Sequence, residues 1–336
     1  MMKRGHVLVA DVGGTKTAMA IAKAEPAPAI FVHRVYASQS FDGLAAIVAD
    51  FLARTEVAQH GDRIEAACFS VAGPVANNAC TLTNLGWRID SSSIARTFGF
   101  PALRLINDFT AAGLGIPHLA AGDIETLQAG QPVEHGVRLI IGAGTGLGVG
   151  LLTWQDGGYV VHPSEAGHSD FAPVDELQDG LLSYLRRSFG RVSYERVVSG
   201  PGLMRIFSFL QDSGAGIPSR QLLDASKKRD DTAELIAEFA VAKLDPLAVR
   251  ALDLFVAVYG AFAGNMALTT LAHGGVFISG GIAPKIAGRL KDGAFARAFA
   301  SKGRFSDLLS SIPVHVVMNP QVGLLGAIQE AGRLQG

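Results

Sequence analysis

The sequence predicts an α/β protein in two lobes, each with a mixed sheet, set around a cleft. Three observations lead there. Short runs of Val, Ile, Leu and Ala, bounded by Gly, Asn or Asp, alternate with longer runs of helical period. A glycine-rich strand–turn–strand unit occurs twice, once at the start and once near the middle. The 336 residues suffice for two domains at roughly 100–200 residues each. Hairpins make part of each sheet antiparallel, and no low-complexity linker separates the halves.

The first glycine unit spans residues 7–21. Val7-Leu8-Val9-Ala10 runs into Asp11, then Gly13-Gly14-Thr15, then a second apolar strand. In residues 41–55, Leu44, Ile47, Val48, Phe51 and Leu52 recur at helical spacing. Residues 66–74 read as a buried strand ending in Gly73-Pro74. Thr83-Asn84 leads to Trp87, and Ser91-Ser92-Ser93 reads as a helix-cap cluster. The strand 103–106 ends in Asn107-Asp108-Phe109, and an Ala/Gly-rich helix follows.

The second glycine unit, residues 139–152, opens a new round of the same order. Helices are expected around 177–189, 202–210, 232–243 and 247–272, with a surface loop at the Ser/Gly/Pro-rich stretch 212–219. A strand at 275–279 stops at Gly280-Gly281. The last strand, 314–318, is followed by a short closing helix. The expected division is a small domain of residues 1–110 plus 318–336 and a large domain of residues 111–317.

Hydrophobic residues make up 49% of the chain, which supports a large core and excludes global disorder. The formal net charge is −1 and no Lys/Arg run stands out, so no basic field exists for nucleic acid. Cys68 and Cys80 are the only cysteines. Two cannot form a zinc cluster alone, and they read as free thiols in a reducing cytoplasm. The first apolar run stops at Asp11, too short for a signal peptide, and a cytoplasmic protein is expected. Residues 254–272 carry no charge, but include Tyr259, Asn265, Thr269 and Thr270. They read as a buried helix rather than a membrane span.

Each glycine turn offers successive amide N–H groups and a Thr hydroxyl, a concavity suited to anions. Two such turns, one per half, suggest two domains gripping one nucleotide, although either turn alone also fits an ordinary hairpin. No P-loop pattern occurs, and the glycines of residues 142–150 fit no dinucleotide-loop register. Asp11 ends a strand otherwise made of Val, Leu and Ala, and a buried carboxylate needs a partner or a metal.

Asn107-Asp108 sits where a strand gives out, where open α/β sheets place ligand groups. Asp there can take a proton from a hydroxyl attacking phosphorus; Asx residues are also favoured helix caps. Glu165, His168 and Asp170 crowd a Gly-containing turn, as a polyol ligand requires, with a metal site or a solvated loop as alternatives. Glu195 precedes Gly200-Pro201-Gly202, which equally fits a salt-bridged helix start.

In ordered combination these segments resemble the bacterial glucokinases of the hexokinase–actin-like ATPase superfamily. The matching stretches are residues 11–15, Thr83-Asn84 with Trp87, and residues 106–110, 142–148, 165–173, 192–202, 274–284 and 302–305. Lys16 stands where close relatives often have Asn; Lys is common there in a neighbouring group of sugar kinases and sugar-responsive repressors. Those proteins usually carry a Cys-rich zinc motif after the glutamate–glycine–histidine turn, and this chain has Ser169-Asp170-Phe171-Ala172-Pro173.

The resemblance implies an actin-like ATPase (ribonuclease H-like) fold and a glucokinase that makes glucose 6-phosphate and ADP at the first step of glycolysis. It implies Asp108 as catalytic base, and Asn84, Asn107, Glu165, His168 and Glu195 as sugar ligands. Gly13, Gly14 and Thr15 match the first phosphate loop, and Gly144, Thr145 and Gly146 the second. Gly280 and Gly281 match the turn near the adenosine. Asp11 matches the acid that orients Mg²⁺, usually through water. Expected partners are glucose and ATP, with neither nucleic acid nor membrane, and the assembly a homodimer. Mean hydropathy of +0.29 and long apolar helices in the second half agree with that dimer. A kinase for mannose or fructose, a non-catalytic sugar-responsive regulator, and an actin-like or chaperone-like ATPase are the alternatives.

Overall fold

The computed structural model describes residues 5–61, 64–82, 84–229 and 231–335. Thr83, one of the matched positions, lies outside them. Strands among the described residues are β1 (His6–Val12), β2 (Lys16–Lys23), β3 (Ala29–Ala37), β4 (Ile64–Val71), β5 (Ala79–Leu82), β6 (Trp87–Asp90), β7 (Leu103–Asn107), β8 (Ile124–Gln128), β9 (Arg138–Ala143), β10 (Leu147–Gln155), β11 (Gly158–Ser164), β12 (Gly275–Ser279) and β13 (Val314–Val317). The chain divides into two compact units. The first takes the chain up to Ala121, Tyr159–Pro163, and the stretch from Asn319 onward. The second takes Gly122–Gly158 and Ser164–Met318.

The first unit holds a sheet in the order β3-β2-β1-β4-β7. β1 pairs antiparallel with β2 and parallel with β4, and β4 pairs parallel with β7. Side chains alternate across a strand, so the apolar run 7–10 of β1 must be covered on both faces. Leu8, Ala10 and Val12 pack in a cluster with Ile47, Val48 and Phe51 of the helix Leu44–Leu52. Val7 and Val9 pack in another with Leu324, Ala327 and Ile328 of the closing helix, Val322–Arg333. The serine cluster does not supply the expected cap. Ser91 begins the helix Ser91–Phe98, and Asp90 caps it, accepting from the Ser93 N–H at 2.9 Å. An ionised Asp accepts more strongly than a serine hydroxyl and suits the positive end of the helix.

Within the second unit the sheet order is β10-β9-β12-β13-β8. β9, β12 and β13 run parallel, whereas β10 returns antiparallel along β9. The helix Pro246–Thr270 forms the spine of this core. Its cap, Asp245, is fully buried and accepts from the N–H groups of Ala248 (2.7 Å) and Ser219 (2.6 Å). Pro246 takes the first turn, where its missing N–H leaves no helical bond unmade. The helix is long and apolar enough to cross a membrane, and most of its apolar stretch is buried inside this unit. The expected loop at 212–219 joins the helices Gly200–Asp212 and Arg220–Ser226.

Candidate active site

In the first unit, β1 delivers Asp11 and turns through residues 13–16 into β2. The Gly13 N–H donates back to the Lys16 carbonyl at 2.9 Å, closing the turn. Ser38 braces it: its hydroxyl donates to the Gly13 carbonyl (2.8 Å) and its N–H to the Thr15 carbonyl (3.0 Å). Thr15 and Lys16 are exposed, and a methyl built on Gly14 would lie 3.6 Å from Asn84 Cβ. The first turn and Asn84 are therefore neighbours. Asp11 pairs in register with Ser70 of β4, whose hydroxyl donates to Asp11 Oδ1 at 3.0 Å. Burial pushes the Asp11 carboxyl up, against the opposing effect of that bond.

At the end of β7, Asn107 caps the helix Asp108–Gly115, accepting from the N–H groups of Phe109 (2.9 Å) and Thr110 (3.3 Å). Its amide nitrogen donates to the Gly73 carbonyl at 3.2 Å. The cap reading of this pair is correct for Asn107. Asp108 is the first helical residue, with Oδ1 accepting from Phe109 N–H at 3.0 Å. Burial, then the charge of Asp11, push its carboxyl up to about 6, while hydrogen bonds from Phe109 and Asn107 oppose the rise. A carboxylate so perturbed at a strand end is a candidate base.

In the second unit, β9 and β10 meet at residues 144–146, with Ala143 opposite Leu147. Again the first glycine closes the turn: Gly144 N–H donates to the Gly146 carbonyl at 2.9 Å. The Gly200 N–H, at the start of the helix Gly200–Asp212, donates to the Gly144 carbonyl at 2.8 Å. Thr145 is exposed at the tip. Gly280 turns at φ +85° just past β12, and a methyl there would lie 2.5 Å from the Ala143 carbonyl oxygen. Only glycine gives both that conformation and that approach. Gly280 thus abuts the base of the 144–146 turn, and Gly281 beside it is exposed.

Glu195 joins this group. Its Oε2 accepts from the Leu147 N–H at 3.0 Å, and its Oε1 lies 3.9 Å from His168 Nε2. The Ser199 hydroxyl donates to its carbonyl at 2.7 Å. Glu165 precedes and His168 ends the short helical turn Ala166–His168, and both are exposed. That turn is tied down by Tyr194 N–H to the Ser169 carbonyl (2.9 Å) and by an Arg191–Asp170 ion pair (2.6 Å). Asp170, one of the two acids of this turn, therefore serves an ion pair. Among the described residues no cluster of three His, Cys, Asp or Glu side chains is arranged for a metal.

The sequence reading missed Ser70, Leu147 and the Gly200 N–H. Ser70 had a signal, a lone hydroxyl late in an apolar strand. The other two act through backbone N–H groups, which carry no residue signature.

The family model Glucokinase matches residues 8–333. A glucokinase of Trichormus variabilis is 42% identical over 342 residues, covering 98% of this chain and 99% of that one. The crystal structure of a glucokinase from an Antarctic psychrotroph has a TM-score of 0.84 at 31% identity, covering 98% of this chain and 100% of the other. A ROK family glucokinase from Streptomyces griseus, solved with glucose and AMPPNP, shares the fold at TM-score 0.65 and 22% identity, covering 98% and 100%.

The fold and its structural relatives define a sugar kinase of the actin-like ATPase class. Within that class the chain belongs to the glucokinase family, and it is an ATP-dependent hexose kinase.

Proposed function

We propose that this kinase phosphorylates the 6-hydroxyl of glucose, with Asp108 as the base. The observation that carries this is Asp108 itself: a carboxyl at a strand end, pushed up to about 6 and held by the Phe109 N–H. At neutral pH it is mostly ionised, yet a stronger proton acceptor than a free carboxylate. It takes the hydroxyl proton as the sugar oxygen bonds to the γ-phosphorus, and the bond to the β-phosphate oxygen breaks to release ADP. Transfer of this kind needs alignment and charge neutralisation more than covalent help.

Asn84, Asn107, Glu165, His168 and Glu195 are the proposed hydroxyl ligands. Residues 13–15 and 144–146 would take the ATP phosphates with exposed N–H groups and threonine hydroxyls, and Gly280-Gly281 the adenosine side. Asp11 suits a divalent cation: a half-buried carboxylate with one hydroxyl donor, near enough to the Asp108 carboxyl for its charge to raise it. Mg²⁺ typically binds through one or two carboxylates, waters and substrate phosphates. When bound it would neutralise phosphate charge, with Asp11 orienting it.

A cytoplasmic location at the entry to glycolysis fits the two buried free thiols, Cys68 and Cys80. A homodimer through the second unit fits its exposed apolar side chains, Ile217 at 87% exposure foremost. A coupled ADP-release assay with glucose, mannose and fructose tests the substrate. Glucose is expected to give the highest kcat/KM, and a higher value for another hexose would overturn the choice.

A further inference from the structure

Tyr259 is a fully buried phenol in the middle of the spine helix of the second unit. Its hydroxyl donates to the Ile141 carbonyl at 3.3 Å and accepts from the Ala143 N–H at 3.2 Å. Both partners lie on the last turnward residues of β9. The parallel register of β12 with β9 ends at Ser279 opposite Gly142, so Ala143 lies beyond the last partner on that side. A buried N–H left there without an acceptor would be costly. The phenol supplies the acceptor where the register has ended, and gives its own proton to the Ile141 carbonyl, which is still in register with Ile278. Burial pushes its ionisation far above the ordinary value, so it keeps the proton with which it donates.

Ala143 also anchors its surroundings. Its carbonyl accepts from the Ile282 N–H at 3.3 Å, and Gly280 presses against that oxygen. One residue later the chain enters the 144–146 turn. We propose that Tyr259 is a positioning residue for nucleotide: its hydroxyl takes the place of the missing strand at Ala143 and sets the exit angle of the 144–146 turn. This rests on the reading of that turn as a phosphate site. The ring itself packs edge-on against Phe255 (5.9 Å) and Phe295 (5.6 Å), away from the hydroxyl's two backbone bonds.

Three variants test it with steady-state kinetics, ADP titration calorimetry and Tm. Tyr259→Phe removes one oxygen and keeps the ring. It is expected to raise the ATP KM and the ADP Kd by about three- to tenfold, the scale of one lost hydrogen bond, with the glucose KM unchanged. Phe295→Leu trims the adjoining ring without touching the hydroxyl. It is expected to lower Tm and leave the ATP KM alone. Thr145→Val tests the turn itself and should raise the ATP KM.

An unchanged ATP KM in Tyr259→Phe, with a raised one in Thr145→Val, overturns the positioning role and leaves the phosphate turn standing. An unchanged ATP KM in Thr145→Val overturns the turn reading, and the positioning role with it. An ATP KM raised equally by Phe295→Leu reduces Tyr259 to a core residue and also overturns the proposal.

Discussion

Glu195 accepts the backbone N–H of Leu147 at 3.0 Å, so a proposed sugar ligand is bonded to the residue that immediately follows the proposed phosphate turn. The other oxygen of the same carboxylate faces His168 at 3.9 Å. Sugar-side and phosphate-side groups thus share one side chain. A methyl on Gly146 would lie 2.6 Å from Glu195 Oε2 and would have to displace it.

Gly146→Ala is therefore expected to act at a distance from its own backbone. It should raise the glucose KM together with the ATP KM, because the carboxylate it pushes serves both. Glu195→Gln should raise the glucose KM by about tenfold or more, the amide mispairing a hydroxyl at about 1–3 kcal/mol. Initial rates over a grid of both substrates decide this; an unchanged glucose KM in both variants removes Glu195 from the sugar site.

Asp108→Asn should lower kcat by about 10²–10⁴-fold while glucose binding, read by calorimetry, changes far less. In the wild type, kcat/KM for glucose should rise with pH up to about 6 and then level, because the base must be ionised. A profile flat through that region, or a variant with near-normal kcat, would show that another group takes the proton.

The same carboxyl makes a stability prediction of opposite sign. Its native value of about 6 lies above the ordinary 3.8, so the folded protein holds the proton where the unfolded chain has lost it. Asp108 then weakens the fold progressively as pH rises from about 3.8 to about 6, and fully above that. Asp108→Asn should raise Tm by about 3 °C or more near pH 8. That advantage should vanish as pH falls toward 4. Equal melting curves across this range would place Asp108 in a solvated setting.

Asn107→Asp separates capping from sugar recognition. The aspartate still accepts from Phe109 and Thr110, so the helix start should survive and Tm should fall little. It cannot donate, so the bond to the Gly73 carbonyl and any donation to a sugar hydroxyl are lost. The glucose KM should rise by about tenfold. A large fall in Tm with an unchanged glucose KM would mean the amide serves structure alone.

Much of the fold was legible in the sequence because apolar period dictates which faces must be covered. The strands around Asp11, Asn107 and Gly280, and the spine helix, lie close to where their patterns put them. Elements with mixed or half-exposed patterns were not legible. β3 exposes most of its residues, and β5, β6 and β8 are short, so their pairing comes from neighbours rather than from local pattern. Among site residues, the sequence marked the turns and the acids. It did not mark Tyr259, which looked like one aromatic in an apolar helix, or the backbone donors that fix Glu195. Those relations depend on register and crossing geometry that no single segment encodes.

The first unit is assembled from stretches far apart in sequence. During synthesis β1 is made long before the helix Val322–Arg333 that covers Val7 and Val9. Gly323, at the start of that helix, also lies against the Asp11 carboxylate. One face of the first sheet must therefore wait, uncovered, until that distant helix has left the ribosome. The second unit, contiguous apart from a five-residue gap, can complete its core sooner. Such long-range closure is the slow kind of contact to form. The exposed strand face of the nascent first unit is thus the surface on which a chaperone, or an aggregating neighbour, would act, and kinase activity can appear only after the helix Val322–Arg333 docks.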